Sequence, residues 1–210
     1  MILTYHGINS ISRISEEEKI YIVGSTPQSW YQDNYQAPIN TSTDKYHMSE
    51  LLYRSSEIGM SGLITDIEFN VCAYKSGAQT PSNIKIYMQN TNLSQLSSTS
   101  VLMPANSKVF DGSITLYLNT FDASNVDAWN WTKFHLDTPF SYDAASNLLI
   151  VFSNTHRYAS DNTETYFASF GESNMVQYRS NVTSAYNVET STYRLWSHSY
   201  RPCIRLSMQV

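Results

Sequence analysis

The sequence predicts an all-β protein, an antiparallel β-sandwich or jelly roll with a short N-terminal arm, and three observations carry that prediction. Apolar positions recur every second residue, the period of a half-buried strand, and helical periodicity is nearly absent. The 210 residues include 16 Tyr, 8 Phe and 4 Trp, which suit pleated surfaces, while the Ala, Leu, Glu and Lys of a long helical bundle are scarce. Strand-length apolar segments are separated by turn-rich stretches without intervening helices, the layout of sandwiches and jelly rolls. A chain that is 41% hydrophobic and this aromatic is not disordered, and its length is enough to bury a core.

In chain order, residues 1–25 read as an N-terminal arm or docking segment and residues 26–210 as the sandwich. In the arm Tyr5-His6-Gly7-Ile8-Asn9 makes a turn, Ile11 and Ile14 alternate, Glu16-Glu17-Glu18 breaks the pattern, and Ile20 and Ile22 lead out. That is too little apolar material for a separate core, so the segment either pairs with the sandwich edge or orders on a partner. The clearest strand is Leu63 to Ala73, where Ile67, Phe69 and Val71 point one way and Asp66, Glu68 and Asn70 the other. Lys75 to Ser82 reads as a hairpin loop. Asn83 to Gln89 follows, with Ile84, Ile86 and Met88 alternating against Asn83, Lys85 and Tyr87. Leu93 to Ser98 is the one helix candidate, a short polar turn.

Lys108 to Asp111 and Ser113 to Leu118 flank Asp111-Gly112, a dipeptide that favours a tight turn. Trp131 to Leu136 alternates Trp131, Lys133 and His135 against Thr132, Phe134 and Leu136. Pro139, which cannot donate to a ladder, is expected to end that strand, and Trp131 is expected in the core. Asn147 to Ser153 is a continuous apolar run, as in a central strand covered on both faces. Asp161 to Tyr200 is poor in aliphatics and reads as long loops, with strands around Tyr166 to Phe170 and Val176 to Arg179. Pro202 to Val210 closes the chain, with Ile204, Leu206 and Met208 on one face.

Charge and composition exclude several functions. A net charge of −5, with 13 scattered Lys and Arg, is no nucleic-acid surface. No run approaches the roughly 18 apolar residues of a membrane span, so no membrane insertion is expected. The N-terminus, Met1 to His6, has neither the basic nor the apolar region of a signal peptide. Two cysteines, Cys72 and Cys203, set no disulfide framework, and a bridge between them requires adjacent strands.

Catalytic motifs are lacking. The five His, at 6, 47, 135, 156 and 198, show no zinc-site spacing. Gly59-Met60-Ser61-Gly62 has the wrong register for a nucleophile elbow, and no phosphate loop or dinucleotide fingerprint occurs. Paired carboxylates could hydrolyse a glycoside, with Glu57, Glu68, Asp111, Asp137, Glu164 and Glu172 as candidates, yet each reads foremost as a surface group. No catalytic residue, cofactor site or metal site is therefore assigned. Structural calcium is the one ion the polar loops could hold, at Asp161-Asn162-Thr163-Glu164 or within 122–127, and both read foremost as ordinary turns.

Aromatic rings are the remaining signal. Trp30, Tyr31 and Tyr35, and Tyr186, Tyr193, Trp196 and Tyr200, fall in expected loops or edges. Flat rings stack on sugars and also anchor protein interfaces, and they equally fill the ends of a sandwich.

Several stretches together carry a resemblance. They are Glu57-Ile58-Gly59 with Gly62-Leu63-Ile64, Asn83-Ile84-Lys85-Ile86-Tyr87-Met88, Val109-Phe110-Asp111-Gly112, Leu136-Asp137-Thr138-Pro139-Phe140, Asn147-Leu148-Leu149-Ile150 and the closing Arg201-Pro202-Cys203-Ile204-Arg205-Leu206. Over residues 45–210 the order of these blocks resembles a β-sandwich module common in surface and secreted proteins of gut Bacteroidetes. That resemblance implies a non-catalytic jelly-roll module, adhesin-like or carbohydrate-binding-like. A free-standing module with a short arm and no signal peptide looks, by analogy, like a virion component of a tailed phage infecting such bacteria. The expectation is a head fibre, decoration or tail-fibre subunit on the virion. It would be a homo-oligomer, docked to other virion proteins through its arm and able to contact a host-surface glycan. The alternative is an extracellular or cell-surface adhesin or glycan-binding module.

Overall fold

The computed structural model of the chain describes residues 18–23, 37–39, 46–73, 77–120, 130–155, 165–167, 169–181 and 183–210. Alternating apolar side chains build their strands into two stacked sheets. The first centres on β3 (Gly62–Ala73), the strand with the cleanest two-residue period. Along one edge of it runs β13 (Ile204–Gln209), antiparallel, with β1 (Glu18–Val23) paired outside β13. Along the other edge runs β8 (Asn130–Tyr142). Past the ends of these ladders β10 (Thr165–Phe167) and β7 (Leu116–Thr120) take over, β7 in parallel, and β4 (Gly77–Gln79) pairs with β7. The second sheet runs in the order β12 (Trp196–Pro202), β11 (Ser169–Asn181), β2 (Tyr46–Tyr53), β9 (Asn147–Thr155), β5 (Ser82–Thr91), β6 (Lys108–Gly112). Its ladders are all antiparallel.

The core lies between the sheets. Ile67, Phe69 and Val71 of β3 face Leu148, Ile150 and Phe152 of β9 and Ile84 and Ile86 of β5, all buried. Phe69 meets the rings of Phe134, Phe152 and Phe167 edge-on at 6.1, 5.6 and 6.2 Å, a favoured aromatic geometry. The outer face of the second sheet is apolar as well. Met48 and Leu52 of β2, Leu149 and Val151 of β9, and Tyr87 of β5 form a second cluster with Leu96, Met103, Val188 and Leu195 from two long loops. Those loops, residues 92–107 and 183–195, are joined by backbone hydrogen bonds. The amides of Ser100, Met103 and Leu195 donate to the carbonyls of Tyr193, Val188 and Ser98 at 2.8, 3.0 and 2.9 Å. This third, non-sheet layer explains why Asn147 to Ser153 reads as an unbroken apolar run.

Several expectations are corrected. Trp131 is not in the core: it shares the outer face of the first sheet with Lys133 and His135, and the Arg205 guanidinium lies 3.8 Å from its ring centroid. The alternation was legible, but Trp131 falls on its outer face with Lys133 and His135, while Thr132, Phe134 and Leu136 point inward. Pro139 does not end its strand. Ile64 pairs with Phe140 and Asp66 with His135, so residues 136–139 bulge opposite Thr65, where the missing N–H costs no ladder bond. Asp111-Gly112 is strand rather than turn, and the chain then crosses to β7 in the other sheet. Leu93 to Ser98 forms no helix. The short helix α1 (Ser55–Ile58) comes earlier, where Glu57 accepts the Arg54 N–H at 2.6 Å and Gly59, at φ 85°, ends it as a residue free to turn left-handed can. Within Asp161 to Tyr200 the strands expected around Tyr166 to Phe170 and Val176 to Arg179 are present, in β10 and β11, but β11 runs unbroken over Ser169–Asn181 and β12 begins at Trp196, where loop was expected.

Cys72 and Cys203 are both buried and unbridged. The β3–β13 ladder stops at Phe69 and Ile204, so the two never lie opposite each other. Burial pushes each thiol up to about 12, which keeps them unreactive. Of the arm, Glu18–Val23 form the outer strand of the first sheet; the turn and alternation expected at residues 5–14 lie outside the described residues.

Candidate binding surfaces

Among the described residues β12 is an edge strand, and it carries a row of aromatic side chains. Its sequence alternates Trp196, His198 and Tyr200 with Ser197 and Ser199, which in a strand places the three rings on one side. The register sets Tyr178 opposite Trp196 and Val176 opposite His198, so the Trp196 and His198 rings share a face with the core residue Val176, while Tyr200 pairs with Gly171 beyond a register shift. The strip therefore continues the interior face of the second sheet out to its edge. Tyr178 stacks on His47 at 6.3 Å and approaches Trp196 and His198 at 6.1 and 6.3 Å; His198 in turn meets Tyr200 at 5.9 Å. Beneath this strip His47 is buried, with Nδ1 2.9 Å from Ser180 Oγ. Trp196 is 55% exposed at the outer end.

A shallow groove of about 360 Å³ opens on the first sheet beside β7 and β8. Tyr117, 66% exposed, and Trp131 supply rings, and Thr115, Asn130 and Lys133 supply polar groups. The Asn130 amide donates to the Tyr117 carbonyl at 2.8 Å, which fixes the floor, and Arg205 covers one face of Trp131. Such a mixture of flat apolar rings and hydrogen-bonding groups suits a sugar or a peptide edge.

No family model, curated protein or solved structure matches this chain.

The aromatics singled out from sequence separate in space. Trp196 and Tyr200 share the β12 strip. Tyr193 does not: it sits in the loop layer over the opposite face of the sheet, its ring 4.9 Å from Tyr186 and its hydroxyl accepting the Asn187 N–H at 2.8 Å. Trp30, Tyr31 and Tyr35 lie outside the described residues. Sequence reasoning missed Tyr178, His198 and His47, although the Trp-Ser-His-Ser-Tyr alternation at 196–200 was there to be read as a strand.

The candidate acids are engaged in structural contacts. Glu57 holds Arg201 at 2.5 Å; Arg201 is fully buried, also donates to the Leu52 carbonyl, and is sandwiched between the rings of Tyr53 and Phe170, each 4.4 Å away. Glu68 sits between Lys133 at 3.2 Å and Arg205 at 3.8 Å. Asp111 pairs with Lys108 at 2.6 Å, and Asp137 accepts the Asp111 N–H at 2.8 Å. Glu164, the side chain of Glu172, and both calcium candidates, Asp161 to Glu164 and 122–127, lie outside the described residues. Among the described residues no three metal-binding side chains converge. Ser61 accepts the Ala144 N–H at 2.9 Å, after a helix and before a strand, the reverse of a nucleophile elbow.

Two further acids are perturbed by their surroundings. Burial works to raise the Asp66 carboxyl, but hydrogen bonds from His135 and Thr65 and the nearby Lys133 outweigh it and hold the group below its ordinary value. Glu50 goes the other way. It is fully buried under the loop layer, accepting the Val101 N–H at 2.8 Å and the Gln177 amide at 2.5 Å, and burial outweighs both bonds to push it up to about 7.

Proposed function

We propose that this chain is a non-enzymatic structural and binding protein, a tailed-phage virion surface component such as a head fibre, decoration or tail-fibre subunit. It works as a homo-oligomer, and its leading arm docks to other virion proteins. The observation that carries this reading is the aromatic strip of Tyr178, Trp196, His198 and Tyr200 on an edge strand of the second sheet. Among the described residues no strand pairs with the outer side of β12, and an edge with Trp and Tyr rings offers anchor side chains to a partner. The engagement of Glu57, Glu68, Asp111 and Asp137 in structural contacts supports a scaffold role rather than a catalytic one. Immunogold labelling tests the reading, with an antibody to the chain applied to virions of a phage that encodes it. Decorated particle surfaces are expected, and bare particles with the protein left in the soluble lysate would overturn it.

The Tyr117–Trp131 groove favours a second reading, a cell-surface adhesin or glycan-binding module. On a glycan array this reading expects binding that Trp131→Ala abolishes. Binding unchanged by the substitution removes the groove from the account, and no binding to any glycan removes the reading.

A further inference from the structure

A second recess of about 360 Å³ lies on the far side of the molecule, over the outer face of the second sheet, and neither surface above includes it. Its floor is a patch of three strands. Lys85 of β5 pairs with Ser153 of β9, and Thr155 of β9 pairs with both Ser82 of β5 and Tyr46 of β2. Its wall is the loop layer, where Tyr186 is held edge-on against Tyr193. At the rim the β5–β9 ladder slips between Ser82 and Lys85, and Asn83 takes φ 50°, a left-handed conformation that Asn tolerates better than most residues. Bulges of this kind re-aim side chains and recur beside binding sites.

The chemistry of the recess is one-sided. Among the described lysines, Lys108 and Lys133 are neutralised by Asp111 and Glu68, whereas Lys85 has no ion pair. Among the described residues no Asp or Glu lines the recess. The Lys85 ammonium makes no salt bridge of its own, since Asp111, opposite it in the β5–β6 ladder, is taken by Lys108, and it sits among hydroxyl and amide groups and two Tyr rings. A small inorganic anion would use the charge alone. A neutral sugar would use the hydroxyls and rings but leave the ammonium idle.

We propose that this recess binds a carboxylate-bearing sugar residue, a sialic or uronic acid at a glycan terminus. Lys85 takes the carboxylate, Asn83, Ser153 and Thr155 exchange hydrogen bonds with ring hydroxyls, and Tyr46 and Tyr186 flank the sugar. The volume lies within the roughly 300–1,000 Å³ of small-molecule sites and accommodates one ring. The inference rests on reading the chain as a surface-contact protein and names the chemistry of what it would touch.

Calorimetric titration with sialyllactose, galacturonate oligomers, lactose and inorganic sulfate is the test. One acidic sugar is expected to bind at least about tenfold more tightly than lactose and sulfate, a charged hydrogen bond being worth that factor. Lys85→Met, which keeps the aliphatic stem, is expected to erase the difference, and Asn83→Gly, which keeps the backbone turn, to weaken binding of the acidic sugar. Circular dichroism of both variants checks that the fold is kept. An acid preference that survives Lys85→Met, equal binding of sulfate, or no binding of any acidic sugar each overturns the proposal. A bare virion with sialyllactose still bound would sink the virion reading alone, whereas labelled virions without sugar binding would sink only this inference.

Discussion

Single side chains set how this sandwich responds to pH. Glu50 is the clearest case, because its carboxyl rises from 4.5 to about 7 on folding. Between those values the folded chain holds a proton that the unfolded chain has lost. Its contribution to stability is therefore fully present below 4.5, falls as pH rises to about 7, and is flat beyond, with about 3 kcal/mol lost across the window. Asp66, whose value is lowered from 3.8, works oppositely and lower down: its contribution is present above 3.8 and is lost as pH falls through the depressed value. Urea unfolding of Glu50→Gln from pH 4.5 to 8 is expected to lack the downward slope of the wild-type chain; identical slopes would mean that Glu50 titrates normally. None of this was legible in the sequence. Glu50 falls between Met48 and Leu52 on one face of a strand that the alternation did not reveal, because both of its faces are buried and polar residues fall on each, His47 and Ser49 on one and Glu50 on the other.

At the scale of elements, strands with one wet face could be read and strands with two dry faces or few aliphatics could not. β3, β5 and β13 alternate cleanly and lie where their patterns put them, and β9 was identified by its unbroken run. β2 and nearly all of β12 were missed and β11 was read only in two pieces, around Phe170 and over Val176 to Arg179, because in β11 and β12 Tyr, His and Ser fill places where Val and Ile would mark a strand. The third layer was invisible for another reason: loops 92–107 and 183–195 carry scattered apolar residues whose burial depends on each other. That dependence is testable. Met103→Ala is expected to destabilise the chain by about 2 to 5 kcal/mol. In hydrogen exchange it is expected to deprotect the amides of Ser100, Met103 and Leu195 together, since all three donate across the two loops. Deprotection of Met103 alone would mean that the loops do not act as one unit.

For the whole molecule, two sheets bury one core, a loop layer covers a second apolar face, and contact is left to rims and recesses. The sandwich itself was legible, because a two-residue period propagates through every strand that has a solvent face. The contact surfaces were legible only in part. Trp196 and Tyr200 were picked out as rings, but their union with Tyr178 and His198 depends on a strand pairing with no signature of its own, and Tyr193 lies on the opposite face. The account turns on that strip being a working surface through which copies of the chain associate. Native mass spectrometry of the wild-type chain beside the Trp196→Ala/Tyr200→Ala double variant tests it most directly. The account predicts a defined oligomer that falls to monomer in the variant while circular dichroism stays the same; a wild-type monomer, or an oligomer indifferent to both substitutions, would contradict it.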